Sequence, residues 1–251
     1  MDQLSGIITD NQTEGMPPVI VYSASKSQFV EHVKFNAIEK IIEDTVWQKL
    51  RRRTSGSEIA SWKNSLQYMF NILVDDGIPA AAGVAVEYNV PLTNRRVDFI
   101  LTGKDAARND AAIIVELKQW SEAEVTQKDA IVKTFLNGAI REVNHPSYQA
   151  WSYSALIEDY NQTVREEQIG LYPCAYLHNM ASDDAVNDSR YHEHTEKAPV
   201  FISSDAKKLS DFLKSYIDLA GDGRYRKTPI SSLNALNRNA PRILCAYLRY
   251  D

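Results

Sequence analysis

Two cysteines, Cys174 and Cys245, are all that this chain of 251 residues contains. Two thiols make no disulfide framework, so a reducing compartment is expected. No apolar run approaches the roughly 18 residues of a membrane span. The opening MDQLSGIITDNQTEGMPP lacks the basic-then-apolar layout of a secretory signal and reads as a disordered leader over 1–18. A soluble, cytoplasmic protein is the expectation. G-x-x-x-x-G-K-[ST] is missing, which excludes a P-loop ATPase within these residues, and without G-x-S-x-G a serine hydrolase has no support. There is no internal repeat and no low-complexity tract. Positive charge is not in excess either: 28 Lys and Arg against 33 Asp and Glu leave a net charge of −5, the wrong sign for broad non-specific binding of nucleic acid. The bases cluster instead, at residues 51–53, at Arg95 and Arg96, and along a tail carrying Arg224, Arg226, Lys227, Arg238, Arg242 and Arg249. A local basic patch and scattered solvated side chains both fit that pattern.

What is present is an ordinary globular composition, 44% apolar and 24% charged, enough for one large domain or two small ones with a sizeable core. VIVYSA (19–24) predicts a short strand. The spacing of Phe29, Val33, Ile38, Ile41, Ile42, Val46 and Leu50 predicts one helix over 25–53, opened by a capping box of Ser25 and Gln28. SEIASWKNSLQYMFNILVDDG predicts a second helix with Ile59, Trp62, Leu66, Met69 and Leu73 inward, stopped by Gly77 and Pro79. Three strands follow, in AAAGVAVEYNVPL, RRVDFILTG and AAIIVELKQW, with the polar TGKDAARND as a hairpin loop between the last two. DAIVKTFLNGA reads as helix, SYQAWSYSALIEDYNQTVRE as a stronger one, IGLYPCAYLHNM and KAPVFISS as strands, and DAKKLSDFLKSYIDLAG as a helix. That order is an α/β chain with a mostly antiparallel first half.

Three charged residues interrupt the apolar strands. Asp98 falls inside one; Glu116 and Lys118 end the next and, two apart, point to one face. If the two strands pair through the loop at 103–110, Asp98 approaches Glu116. Two adjacent carboxylates repel unless a cation lies between them. A divalent metal with oxygen ligands satisfies that need, and can polarise a phosphoryl oxygen and activate water. A lysine on the same face can orient the water or neutralise charge on a phosphate. Simple strand-end decoration is the plainer alternative.

These residues carry a resemblance. VDFIL followed by IIVELK resembles the PD-(D/E)XK nuclease superfamily, whose motif is an Asp, a spacer and Glu-x-Lys on adjacent strands. YQAWSY supplies Gln149 and Tyr153 one helical turn apart, similar to the Gln-x-x-x-Tyr motif of the RecB-like branch. Where that branch has a Gly shortly before the Asp, this chain has Arg95 and Arg96. SEIASWKNSLQYM, RRVDFILTG, ELKQW, HPSYQAWSY and EKAPVF together resemble the N-terminal part of bacterial proteins that join such a nuclease to a P-loop helicase-like ATPase, over most of residues 19–215.

The resemblance implies a restriction-endonuclease-like core, a central mixed sheet flanked by helices, over 19–220, with 221–251 a basic tail or a linker to a further domain. It implies magnesium or manganese held by Asp98, Glu116 and the carbonyl of Leu117, with Lys118 orienting water. Gln149 and Tyr153 would hold phosphate or the lysine, DNA would be the substrate, and an ATPase domain or subunit a partner. Repair and defence against foreign DNA are both open. Family members often add an acid from the helix before the sheet. Glu58 is the candidate, sharing a face with Trp62 and Ser65, although its place three residues after Ser55 is explained by a capping box alone. Glu87 is a second candidate, against the plain reading of an exposed strand carboxylate.

Other residues invite readings of their own. Cys174, His178, His192 and His194 have no standard zinc spacing, and surface or loop histidines are the expectation. His145 could touch phosphate or stabilise the turn before Pro146. Trp62, Trp120 and Trp151 fit a core better than base-stacking platforms. A metal-dependent nuclease leads. A non-catalytic module on the same fold, docking DNA or an ATPase, is the rival, motivated by the net negative charge.

Overall fold

A computed structural model of the protein describes residues 19–90 and 95–218. The expected leader over 1–18, the tail over 221–251 and Cys245 lie outside the described residues.

Strand β1 (Val19–Ser25) runs into α1 (Lys26–Lys34), and the Ser25–Gln28 capping box is formed in both directions. The single long helix expected over 25–53 is two. Helix α1 stops at Lys34, Asn36 takes a left-handed φ of 52°, and α2 (Ile38–Leu50) restarts. Asn is one of the few side chains that enters this conformation readily. The apolar stripe is therefore divided between two helices, with Phe29 and Val33 buried from α1 and Ile38, Ile42 and Val46 from α2. Helix α3 (Gly56–Leu73) opens on a Ser55–Glu58 capping box and buries Trp62, Leu66, Met69 and Leu73 as predicted, with Ile59 only partly buried.

Next come β2 (Gly83–Asn89), β3 (Arg96–Lys104) and β4 (Asp110–Lys118), matching the three predicted strands. Then the prediction fails. Residues 129–139 are not helical. They form β6 (Ile131–Leu136), which pairs with β5 (Glu124–Val125) and β7 (Ala139–Asn144) in a small antiparallel sheet. Between Leu136 and Ala139, Asn137 and Gly138 have φ of 51° and 81°. Positive φ at both central residues is what a two-residue type I′ hairpin demands, and Asn-Gly is its strongest sequence signal.

The rest of the chain alternates. Helices α4 (Pro146–Tyr160) and α5 (Gln162–Glu166) divide at Asn161, whose side chain caps the second; β8 (Gly170–Leu177), α6 (His192–Lys197), β9 (Val200–Ile202) and α7 (Ala206–Tyr216) follow. The main sheet has the order β1-β2-β3-β4-β8-β9, antiparallel through β4 and parallel from there on. Among the described residues no helix is long and apolar enough to cross a membrane.

Alternate residues of the central strands feed two cores. Phe99, Leu101, Ile113 and Val115 pack with α1, α2, α3 and α7; Ile100, Ala112 and Ile114 pack with Tyr153, Ile157 and Val164 of α4 and α5. A third cluster joins Trp120, Val132, Leu136 and Val143 to Met180, Val186 and Tyr191 and ties the small sheet down. Burying each large apolar side chain stabilises by about 1.5–3 kcal/mol. Charged groups that interrupt such cores therefore need an account of their own.

Candidate active site

The ladder between β3 and β4 runs from Lys104↔Asp110 to Phe99↔Val115. One further step would set Asp98 against Glu116, but the register ends there. The Asp98 carboxylate, not its backbone, accepts the Leu117 backbone N–H at 3.0 Å. The strand ends thus part around two acids.

The neighbouring strand bends at the same level. Glu87 in β2 has φ of 59°, a conformation that costs a side-chain-bearing residue roughly 1–2 kcal/mol. Face alternation breaks with it. Val84 and Val86 pack in the first core but Tyr88 in the second; across on β3, Phe99 and Leu101 pack in the first and Val97 in the second. Backbone strain of this kind, in a cleft, motivates a functional reading.

Glu116 is buried. Its Oε1 accepts from Lys118 Nζ and from Gln149 Nε2, each at 2.6 Å, while Oε2 has no partner. Lys118 Nζ also donates to Gln149 Oε1 at 3.0 Å, and Gln149 Nε2 donates to the Tyr153 hydroxyl at 2.8 Å. Gln149 and Tyr153 project from one side of α4, which packs against the face of β4 that carries Glu116 and Lys118. The structure thus brings together Asp98, Glu116, Lys118, Gln149 and Tyr153. Burial and the Asp98 charge push the Glu116 carboxyl well above its usual range, against the pull of Lys118. Burial would lower the Lys118 ammonium, yet Glu116 and Asp98 hold it above its ordinary value.

Two cavities meet at this cluster. One, of about 450 Å³, has Arg95, Glu116, Gln149 and Tyr153 in its wall. The other, of about 320 Å³, has Trp62, Glu87, Gln119, Trp120 and Phe135. Arg96, Asp98, Leu117 and Lys118 line both.

The two extra acids separate. Glu58 faces the smaller cavity together with Trp62 and Ser65, but its carboxylate is occupied by the Ser55 backbone N–H at 3.1 Å and by Arg52 at 3.0 Å. Burial works to raise it, and Arg52 and Ser55 outweigh that and hold it below the usual range. The capping role is filled. Glu87, the second candidate, is buried and not the exposed strand carboxylate of the plainer reading: it accepts the Trp62 Nε1–H at 2.7 Å and ion-pairs with Arg96. Burial pushes its carboxyl up to about 7 against the pull of Arg96. The sequence signal was an acid inside an apolar run, the same signal that marked Asp98.

His178 and His194 are buried where surface or loop positions were expected, and His192 is exposed, as expected. His178 stacks on Tyr68 and bonds Ser65 Oγ at 3.2 Å; His194 bonds Asp129 at 2.9 Å. His145 caps α4 by accepting the Ser147 backbone N–H through Nδ1, so Nε2 donates to the Val186 carbonyl at 2.9 Å. Burial drives it down to about 4, and it stands outside both cavities as the turn-stabilising residue. Cys174 is buried in β8. Trp120 packs in the third core, while Trp151 is half-buried under Lys197.

Among the described residues no group of three or more His, Cys, Asp and Glu side chains is placed to hold a metal ion. Asp98 and Glu116 are a pair, not a cage. Their donors are oxygens only, and one of these, Glu116 Oε2, is buried and unpaired. That set fits a hard divalent cation that keeps several of its own waters, as magnesium does.

Compared with models of protein families, with curated proteins and with solved structures, the chain matches none.

Proposed function

We propose that this protein is a metal-dependent nuclease of the PD-(D/E)XK type that hydrolyses phosphodiester bonds in DNA, with a restriction-endonuclease-like core built on its six-stranded sheet. One observation carries the reading: Glu116 is buried beside a second acid, with one oxygen gripped by Lys118 and Gln149 and the other unpaired. A buried carboxylate oxygen without a donor is uncommon, and here it belongs to the acid that stands beside Asp98. Asp98 and Glu116 would hold magnesium or manganese, together with the Leu117 carbonyl. Such an ion supplies Lewis-acid polarisation of the phosphoryl group and a more acidic water.

The chain's own residues do the rest. Lys118 remains an ammonium and so acts as a donor, orienting the attacking water and offsetting charge on the phosphate. Gln149 locks Lys118 and Glu116 to each other, and Tyr153 fixes the Gln149 amide. Arg95 and Arg96, in the wall of the larger cavity, supply positive charge for the phosphodiester. Water oxygen adds to phosphorus as one ester P–O bond breaks. The water's proton passes to solvent, and the departing alkoxide takes one up.

The test is cleavage of labelled DNA with magnesium or with chelator, beside Glu116→Ala and Lys118→Ala, folded by circular dichroism. Magnesium-dependent cutting and a loss of roughly a hundredfold or more in each variant are expected. Unchanged cleavage in both variants overturns the proposal. DNA binding that weakens with salt, without any cleavage, would favour the non-catalytic module instead.

A further inference from the structure

The chemistry above uses one of the two cavities. The larger is polar, walled by arginines, Gln149 and the acid pair. The smaller shares Arg96, Asp98, Leu117 and Lys118 with it but is of another character: Trp62, Trp120, Phe135 and Leu136 give it an aromatic and apolar wall, and Gln119 and Ser121 give it polar groups. Its charged lining adds Glu58 and Glu87, a poor place for a second phosphate. A flat, neutral group with edge donors and acceptors is the complement of such a wall.

Phe135 strengthens the case. It lines the cavity and is 56% exposed, beside its exposed cross-strand partner Ile140. Val132 and Leu136 pack into the third core, which turns Phe135 to the open face. The strand cannot simply roll to bury it. The Tyr191 hydroxyl donates to the Ile131 carbonyl at 2.7 Å and accepts from the Thr126 backbone N–H at 3.0 Å, pinning the small sheet at its base. The type I′ turn at Asn137 and Gly138 fixes the register at its tip. At the inner end, Trp120 lies 5.4 Å from Lys118 Nζ, so the aromatic wall reaches the reacting centre. The Gln119 amide is held by Ser61 Oγ and Ser65 Oγ at 2.9 and 3.1 Å. At about 320 Å³ the space lies in the lower range of small-molecule sites, roughly 300–1,000 Å³.

We infer that, resting on the nuclease reading above, the smaller cavity receives a nucleobase of the strand whose phosphate lies at Asp98 and Glu116, with Phe135 stacked on it. A base in that position is unpaired. The substrate class is therefore single-stranded DNA or the frayed end of a duplex, because an intact duplex has to unstack and unpair the nucleotide first, at a cost of a few kcal/mol.

Binding, not cleavage, tests this. Affinities of the full chain for a fluorescein-labelled oligothymidylate and for a closed hairpin duplex with as many phosphates are measured by anisotropy, with calcium in place of magnesium. The oligothymidylate is expected to bind more tightly. Phe135→Ala is expected to weaken it by on the order of tenfold, the usual effect of removing one stacking platform. The same variant should leave duplex affinity unchanged, and Phe135→Tyr should restore single-strand binding. An unchanged single-strand affinity in Phe135→Ala, equal losses on both probes, or no binding of either probe overturns the inference. The two proposals fail separately. Cutting without Phe135 dependence removes only the base cavity; Phe135-dependent binding without cutting in magnesium removes only the nuclease.

Discussion

Asp75 and Glu116 each meet a lysine within hydrogen-bonding distance, Lys214 at 2.7 Å and Lys118 at 2.6 Å. Asp75 spreads its load. One oxygen accepts from Lys214 and from Ser210 Oγ at 2.7 Å, the other from the Gly77 backbone N–H at 2.8 Å. Lys214 and Ser210 hold its carboxyl far below the usual range. Next to it, Lys26 Nζ donates to the Asp75 and Ile78 carbonyls, so the clasp joins the end of α3, its following turn, α1 and α7. Glu116 is starved by comparison: two donors crowd one oxygen, the other has none, and Asp98 stands alongside. A carboxylate and a lysine therefore make opposite devices. A carboxylate with its lone pairs engaged ties elements together; one buried and short of donors costs stability and is a candidate for work on something else.

The contrast is tested most strongly by pH. Glu87 is buried like Glu116, its carboxyl raised from 4.5 to about 7. A proton bound more tightly in the folded state means that this stability is full below about pH 4.5 and is lost as pH rises to about 7. Asp75, lowered, has the opposite sign, its contribution present above its ordinary 3.8 and lost below it. Glu87→Gln should therefore gain on the native protein by roughly 3 kcal/mol between pH 4.5 and 7. Urea midpoints across that range measure it, and parallel pH profiles would break the comparison.

Next in size is a pair of amide substitutions. Asp75→Asn is expected to destabilise by about 2 kcal/mol, since its bond to a charged donor is lost. Glu116→Gln should be neutral or stabilising at neutral pH while abolishing cleavage. Equal destabilisation by both, in the same unfolding assay, would make Glu116 another clasp. The smallest effect belongs to Tyr153→Phe, which removes only the acceptor that steadies Gln149. A loss of about 1 kcal/mol in transition-state stabilisation, several-fold in kcat/KM with folding intact, is expected.

Much of this was legible before any coordinates. The Ser25 and Ser55 caps, the buried positions of α3 and the three strands around Asp98 rest on local chemistry and short periods, which a sequence displays directly. The failures have physical causes too. At 129–139 apolar spacing suggested a helix, although Asn137-Gly138 was the more specific signal and a turn with two positive φ angles overrides periodicity. At Asn36 one left-handed residue split a continuous apolar stripe. The choice between a site acid and an exposed carboxylate at Glu87 stayed open in the sequence because burial depends on what covers a strand: Trp62 and Arg96, 25 positions before it and nine after it, decide it.

The sequence by itself determined which chemistry is on offer: an acid in one apolar strand, Glu-x-Lys ending the next, and Gln and Tyr one helical turn apart. Spacings of two and four residues are enough to place such groups on a common face. Tertiary structure alone decided that they meet, that the strands part at Asp98, that one Glu116 oxygen goes unpaired, and that an exposed Phe135 stands at a second cavity beside them. Each of these depends on partners tens of residues away, and desolvation and strand register are properties of the assembled sheet rather than of any one strand.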